Sequence, residues 1–89
     1  MATNLNDIIT LQAGKIVLTQ TVSNWGIEID SSSPVKFGLV YMINDLCDNV
    51  SVGQVVTFNL NDATQLTHNS SGYYLISENK VGFVEAPAP

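Results

Sequence analysis

The side chains that could do chemistry are few in this chain, and their spacing limits what they could do. His68 is the single histidine. No cysteine or second histidine stands at ligand spacing from it, so no metal site is expected, and beside a turn it reads as an exposed loop residue. Cys47 is also single. It lies in Asn44-Asp45-Leu46-Cys47-Asp48-Asn49, where two aspartates would raise a thiol pKa and disfavour the thiolate that a nucleophile needs. A partly buried structural cysteine is the better reading, and one cysteine cannot close an internal disulfide, which fits a reducing compartment. Glu28 and Asp30 are two apart. On a strand both would share one face, with Ile27 and Ile29 on the other. Paired carboxylates can do acid–base work, but this pair reads as a solvated edge. The six glycines are scattered singly, so no phosphate-cradling loop is present. No catalytic residue, cofactor or metal is expected, and the chain is read as a binder of other protein chains, not an enzyme.

What remains is Ser23-Asn24-Trp25-Gly26-Ile27-Glu28-Ile29-Asp30-Ser31-Ser32-Ser33, which holds the only tryptophan and two isoleucines between loop residues. Two readings are open: an ordinary core strand, or an exposed apolar tip that inserts into a partner's groove.

The elements around this segment are almost all strands. Lys15 to Val22 is β-branched and ends at the turn-prone Ser23-Asn24. Gly26 to Asp30 alternates apolar and acidic and stops in Ser31-Ser32-Ser33-Pro34. Lys36 to Ile43 reads as a buried strand, with Gly38 a bulge or a close approach. Gln54 to Asn59 follows Val52-Gly53. Asn61-Asp62 marks a turn, and Ala63 to Thr67 reads as a short strand. Asn69-Ser70-Ser71-Gly72 is the clearest turn; Tyr73 to Ile76, a polar turn at Ser77-Glu78-Asn79 and Val81 to Glu85 complete the pattern. Only Asn4 to Thr10 and Ser77 to Lys80 have room for a helical turn or two. Short strands with regular turns predict one all-β domain over residues 1–89, a small antiparallel β-barrel of about five to seven strands. A loop falls at 21–35, and proline keeps the tail from Ala86 to Pro89 out of a sheet. The expected core is Ile16, Leu18, Leu39, Tyr41, Val56, Phe58, Leu75, Ile76 and Phe83.

Composition narrows the partners. Lys15, Lys36 and Lys80 face eight acidic residues, for a formal net charge of −5. Phosphate contacts from basic side chains dominate nucleic-acid affinity, so nucleic acid is not an expected partner. Asn, Ser, Thr and Gln cover the surface in place of charge, which suits contacts within large protein assemblies. The uncharged stretch Phe37 to Asn44 is far short of the ~20 residues of a membrane helix. With no basic region and no apolar run of signal-peptide length at the N-terminus, the expected location is the cytoplasm. The sequons at Asn49 and Asn69 are read as accidental on the same ground. A chain this small buries only roughly 60–65% of its unfolded surface, so assembly would support its thin core.

The order of segments then matters. Val52-Gly53-Gln54-Val55-Val56-Thr57-Phe58 is similar to a Val-Gly-Asp strand, and Tyr73 to Glu85 to a final hairpin whose Ser-Glu turn leads into an apolar strand ending in Glu. Leu11 to Gln20 sits where a first long strand falls. Gly26-Ile27-Glu28-Ile29 falls where a mobile loop carries a Gly-led apolar tripeptide, and Phe37 to Ile43 resembles the strand after that loop. Over most of its length the chain thus resembles the GroES-type co-chaperonins, the ring-shaped lids of GroEL-type chaperonins. It departs from them at Glu28, in a shorter loop, and in lacking the roof hairpin between Ile43 and Val52, a trimming known in phage-encoded members. The resemblance implies a GroES-like barrel, a homo-oligomeric ring of seven subunits, and a docking loop of Trp25, Gly26, Ile27, Glu28 and Ile29 that takes a GroEL-type chaperonin as partner. It places the subunit interface at Leu5, Ile8, Ile9, Val81, Phe83 and Val84, so that removing 81–89 is expected to dissociate the ring. The alternative is a phage virion component, a capsid decoration or connector protein bound to capsid proteins, to which the Asn/Ser/Thr surface, the short loop and Glu28 point.

Overall fold

A computed structural model describes residues 9–44 and 49–87 of the chain. Leu5, Ile8 and Cys47 lie outside them. Five strands form one sheet: β1 (Lys15–Gln20), β2 (Val35–Ile43), β3 (Val55–Asn59), β4 (Thr64–His68) and β5 (Ser71–Ser77). The spatial order is β3-β2-β1-β5-β4, and every neighbouring pair is antiparallel. No α-helix occurs among the described residues; single 3-10 turns at Leu60–Asp62 and Glu78–Lys80 join or end strands. Each begins at an Asn or Ser in extended conformation, and Asn59 Oδ1 accepts the Asn61 N–H at 2.8 Å, the local capping chemistry of these residues.

The sheet is all-β as expected, but it is open. Its two ends, β3 and β4, do not pair with each other. Instead the outer edge of β3 is taken by the chain's own C-terminal segment. The Gly82 N–H donates to Thr57 O at 2.9 Å, the Thr57 N–H to Phe83 O at 3.0 Å, and the Glu85 N–H to Val55 O at 2.7 Å. Val56 and Val84 form the bridge, and Thr57 Oγ1 accepts the Phe83 N–H at 3.0 Å. Gly82 allows this approach, because a Cβ there would lie 2.5 Å from Thr57 Oγ1.

The main core packs on one face and consists of Ile16, Leu18, Val40, Val50, Val56, Phe58 and Ile76. A smaller cluster on the other face has Leu11 and Val17 at its centre, with Ile9, Tyr41, Met42, Tyr73 and Leu75 against it. Gly38 is a close approach: a Cβ there would meet Phe58 Cε1 at 2.9 Å and Leu18 Cβ at 3.1 Å.

Of the expected core, Leu39 and Phe83 are misplaced. Leu39 is 37% exposed, opposite Thr19 and Val55. The sequence Phe37 to Ile43 is apolar on both phases of a period-2 pattern, and the structure uses Val40 for the main core. A β-bulge explains the rest of the strand. Val17 pairs with Met42 and Leu18 with Val40, leaving Tyr41 as the extra residue. The insertion puts Tyr41 beside Met42 on the smaller cluster and returns Ile43 to the main core, as a one-residue slip must. Phe83 is 45% exposed and meets Phe37 edge-on at 6.2 Å.

Candidate docking loop

The β1–β2 hairpin opens after the Thr21 N–H donates to Phe37 O at 3.1 Å. From Val22 to Asp30 the chain forms no strand, with a turn at Asn24-Trp25. Gly26 follows that turn at φ +75° in open space, a conformation that glycine takes without steric cost. The core-strand reading of Trp25 to Asp30 is therefore corrected, and with it the strand argument that put Glu28 and Asp30 on one face. The apolar–acidic alternation of Gly26 to Asp30 fits an extended segment, but among the described residues no strand pairs with it.

Both ends of the loop are anchored. At the first end Ser23 Oγ donates to Glu85 Oε2, and the Asn24 N–H donates to Glu85 Oε1 at 2.6 Å. The Trp25 N–H donates to Ser23 Oγ at 3.0 Å, and the Trp25 indole N–H to Ala86 O at 2.8 Å. At the other end Asp30 Oδ1 accepts the Ser32 N–H at 2.9 Å and the Ser32 hydroxyl at 2.8 Å, an Asx-turn. The Ser33 N–H donates to Asp30 O at 2.9 Å, and Ser33 Oγ accepts the Val35 N–H at 3.1 Å. The backbone and side-chain bonds from Ser32, joined by the charge of Lys36, hold the Asp30 carboxyl below its ordinary pKa. Among the described residues no hydrogen bond reaches Gly26 to Ile29.

Between these anchors Ile27 is 46% exposed, and Val22, at the loop's start, is 77% exposed. Ile29 is half-buried. The loop and the start of β2 border a groove of about 520 Å³, to which Val22, Ile27, Ile29, Val35 and Phe37 contribute apolar walls. Glu28 and Lys36 line it as well. The arrangement presents apolar side chains on a short span fixed at both ends.

The five expected loop residues thus stand together. Of the expected interface residues, Ile9 packs on the smaller cluster and Val81 against the main core. Phe83 and Val84 lie on the segment beside β3 and are exposed. His68 closes β4 and is half-buried, where an exposed loop position was expected. No group of three or more metal-ligating side chains occurs among the described residues, and no described helix is long and apolar enough to cross a membrane. Sequence reasoning missed the roles of Ser23, Asn24 and Glu85. The one available signal was an acidic residue ending an apolar strand, and nothing local ties it to a loop sixty residues earlier. No protein-family model matches this chain, and no curated protein matches it in sequence.

Proposed function

We propose that this chain is a non-enzymatic, co-chaperonin-like protein that assembles as a ring and docks the Trp25–Ile29 loop on a GroEL-type chaperonin. The observation that carries the reading is Ile27, nearly half exposed on a span without hydrogen bonds between two anchored ends. An apolar side chain held out to water in this way has a use when a partner buries it. Full burial of one isoleucine is worth roughly 1.5–3 kcal/mol, so a single loop binds weakly, and several copies on one ring supply the avidity. The exposed Phe83 and Val84 are the side chains through which copies would meet. A pull-down with a GroEL-type chaperonin and nucleotide tests this. Wild type is expected to bind, Ile27→Ser with Ile29→Ser to lose binding, and Glu28→Val to tighten it; equal capture of wild type and the double variant would overturn the loop as the docking element.

A virion component is the second reading, supported by β4. That strand ends the sheet with Thr64, Gln65 and Thr67 exposed and no formal charge from Ala63 to Ser77, an edge able to lie against neighbouring capsid chains. On this reading the chaperonin captures none of the variants, and the protein co-sediments with virus particles.

A further inference from the structure

Glu85 is only 7% exposed, and both its oxygens are spent on the loop. Oε2 accepts from the Ser23 hydroxyl and Oε1 from the Asn24 N–H. Its own N–H donates to Val55 O, so the residue that grips the loop is itself held on β3. Ala86, the next residue, receives the Trp25 indole N–H, and Ser23 Oγ accepts the Trp25 N–H. A continuous set of bonds runs from β3 through Glu85 and Ser23 to Trp25. A buried carboxylate is tolerated only where its oxygens are satisfied. An apolar residue would fill this place beside β3 without that requirement, but it would leave the Ser23 hydroxyl and the Asn24 N–H without these acceptors.

We propose that Glu85 is the positioning residue of the docking loop. Its carboxylate fixes where Trp25 to Ile29 leave the sheet, and it makes the loop's order conditional on the C-terminal segment lying on β3. A partner or neighbouring copy that lifts this segment frees the loop, and one that presses it down holds the loop ready. The tether stands on the geometry alone; its value for binding rests on the function proposed above.

Trp25 is the only tryptophan, so its fluorescence reports this loop and nothing else. Acrylamide quenching and anisotropy are to be read on the full chain with Glu85→Ala, Glu85→Gln and Ser23→Ala, each beside its circular dichroism. Glu85→Ala is expected to raise the quenching constant about twofold, as a half-exposed ring becomes fully exposed through local opening. Glu85→Gln keeps an acceptor for the Asn24 N–H and is expected to restore most of the wild-type value. Quenching in Glu85→Ala equal to wild type, with the sheet intact, would overturn the tether. Should Glu85→Ala fail to fold, Ser23→Ala decides, because it leaves Glu85 on β3: raised quenching supports the proposal and unchanged quenching ends it. In a second arm, with a GroEL-type chaperonin and ATP, Glu85→Ala is expected to bind about tenfold more weakly than wild type, since an unanchored loop must be ordered on binding. Undiminished affinity in Glu85→Ala would refute the positioning role. A wild-type protein that does not bind defeats the docking function and leaves the quenching result standing.

Discussion

Asn69 and Ser70 form the two-residue turn between β4 and β5, and both have positive φ, 51° and 67°. That is the backbone a right-twisted hairpin demands, and Asn-Gly is the pair that adopts it best. Serine in the left-handed region costs about 1–2 kcal/mol; glycine removes that strain but gives up about 0.4–1 kcal/mol of the gain, because the unfolded chain becomes freer. Ser70→Gly is therefore expected to raise stability by about 0.5 kcal/mol, or roughly 2–4 °C in melting temperature for a domain of this size. No rise on thermal denaturation would mean that this turn relaxes to another geometry. Asp30 supplies a second test. Its folded pKa is depressed below 3.8 by the bonds from Ser32, so its contribution to loop order is present above that value and lost as pH falls through the lower folded one. An NMR titration should place the Asp30 midpoint below 3.8. Ser32→Ala should move it part of the way back, because the backbone donor remains.

At the scale of elements, two segments matter most. If the loop is separate from the core, Ile27→Ser with Ile29→Ser should lower the melting temperature by only a few degrees. Two core isoleucines turned polar would each cost about 2–5 kcal/mol instead, and a fall of that size would return these residues to the core. The C-terminal segment behaves differently. Its pairing with β3 means that removing residues 81–89 does more than separate copies: it strips three backbone hydrogen bonds from β3 and uncovers Val55 and Thr57, which are buried. At about 1 kcal/mol per bond the truncation is expected to cost about 3 kcal/mol or more, a drop on the order of 12–24 °C. A truncated chain that melts like the full one would show that this pairing adds nothing to the fold.

At the scale of the molecule, the open sheet leaves the outer edge of β4 without a partner strand among the described residues, and several apolar side chains are exposed, among them Val22, Val52, Phe83 and Val84. A small chain with a thin core has reason to cover such surface with copies of itself. Light scattering at micromolar concentration is expected to return the mass of a closed ring of identical subunits. A stable monomer under those conditions would contradict assembly and remove the avidity on which the proposed docking depends.

Strand content and turn positions were legible in the residues themselves. The runs Lys15 to Val22, Lys36 to Ile43, Gln54 to Asn59 and Tyr73 to Ile76 are rich in β-branched or aromatic residues and each stops at an Asn or Ser, so the signal is local. Gly38 stood out as either a bulge or a close approach, and the side chains around it make it the second, with the bulge three residues on at Tyr41. What the residues left undecided is non-local. Phe37 to Ile43 is apolar on both faces, so only the partners on either side could choose Val40 over Leu39 and place the bulge at Tyr41. Whether the sheet closes depends on which segment covers the outer edge of β3, and here Gly82 to Glu85 folds back onto it. The same folding back carries Glu85 to Ser23 and Asn24, a pairing between residues far apart in sequence that no spacing rule encodes. Period-2 patterning states which side chains share a face; pairing and register, set by contacts across the whole chain, decide which face is buried and what it touches.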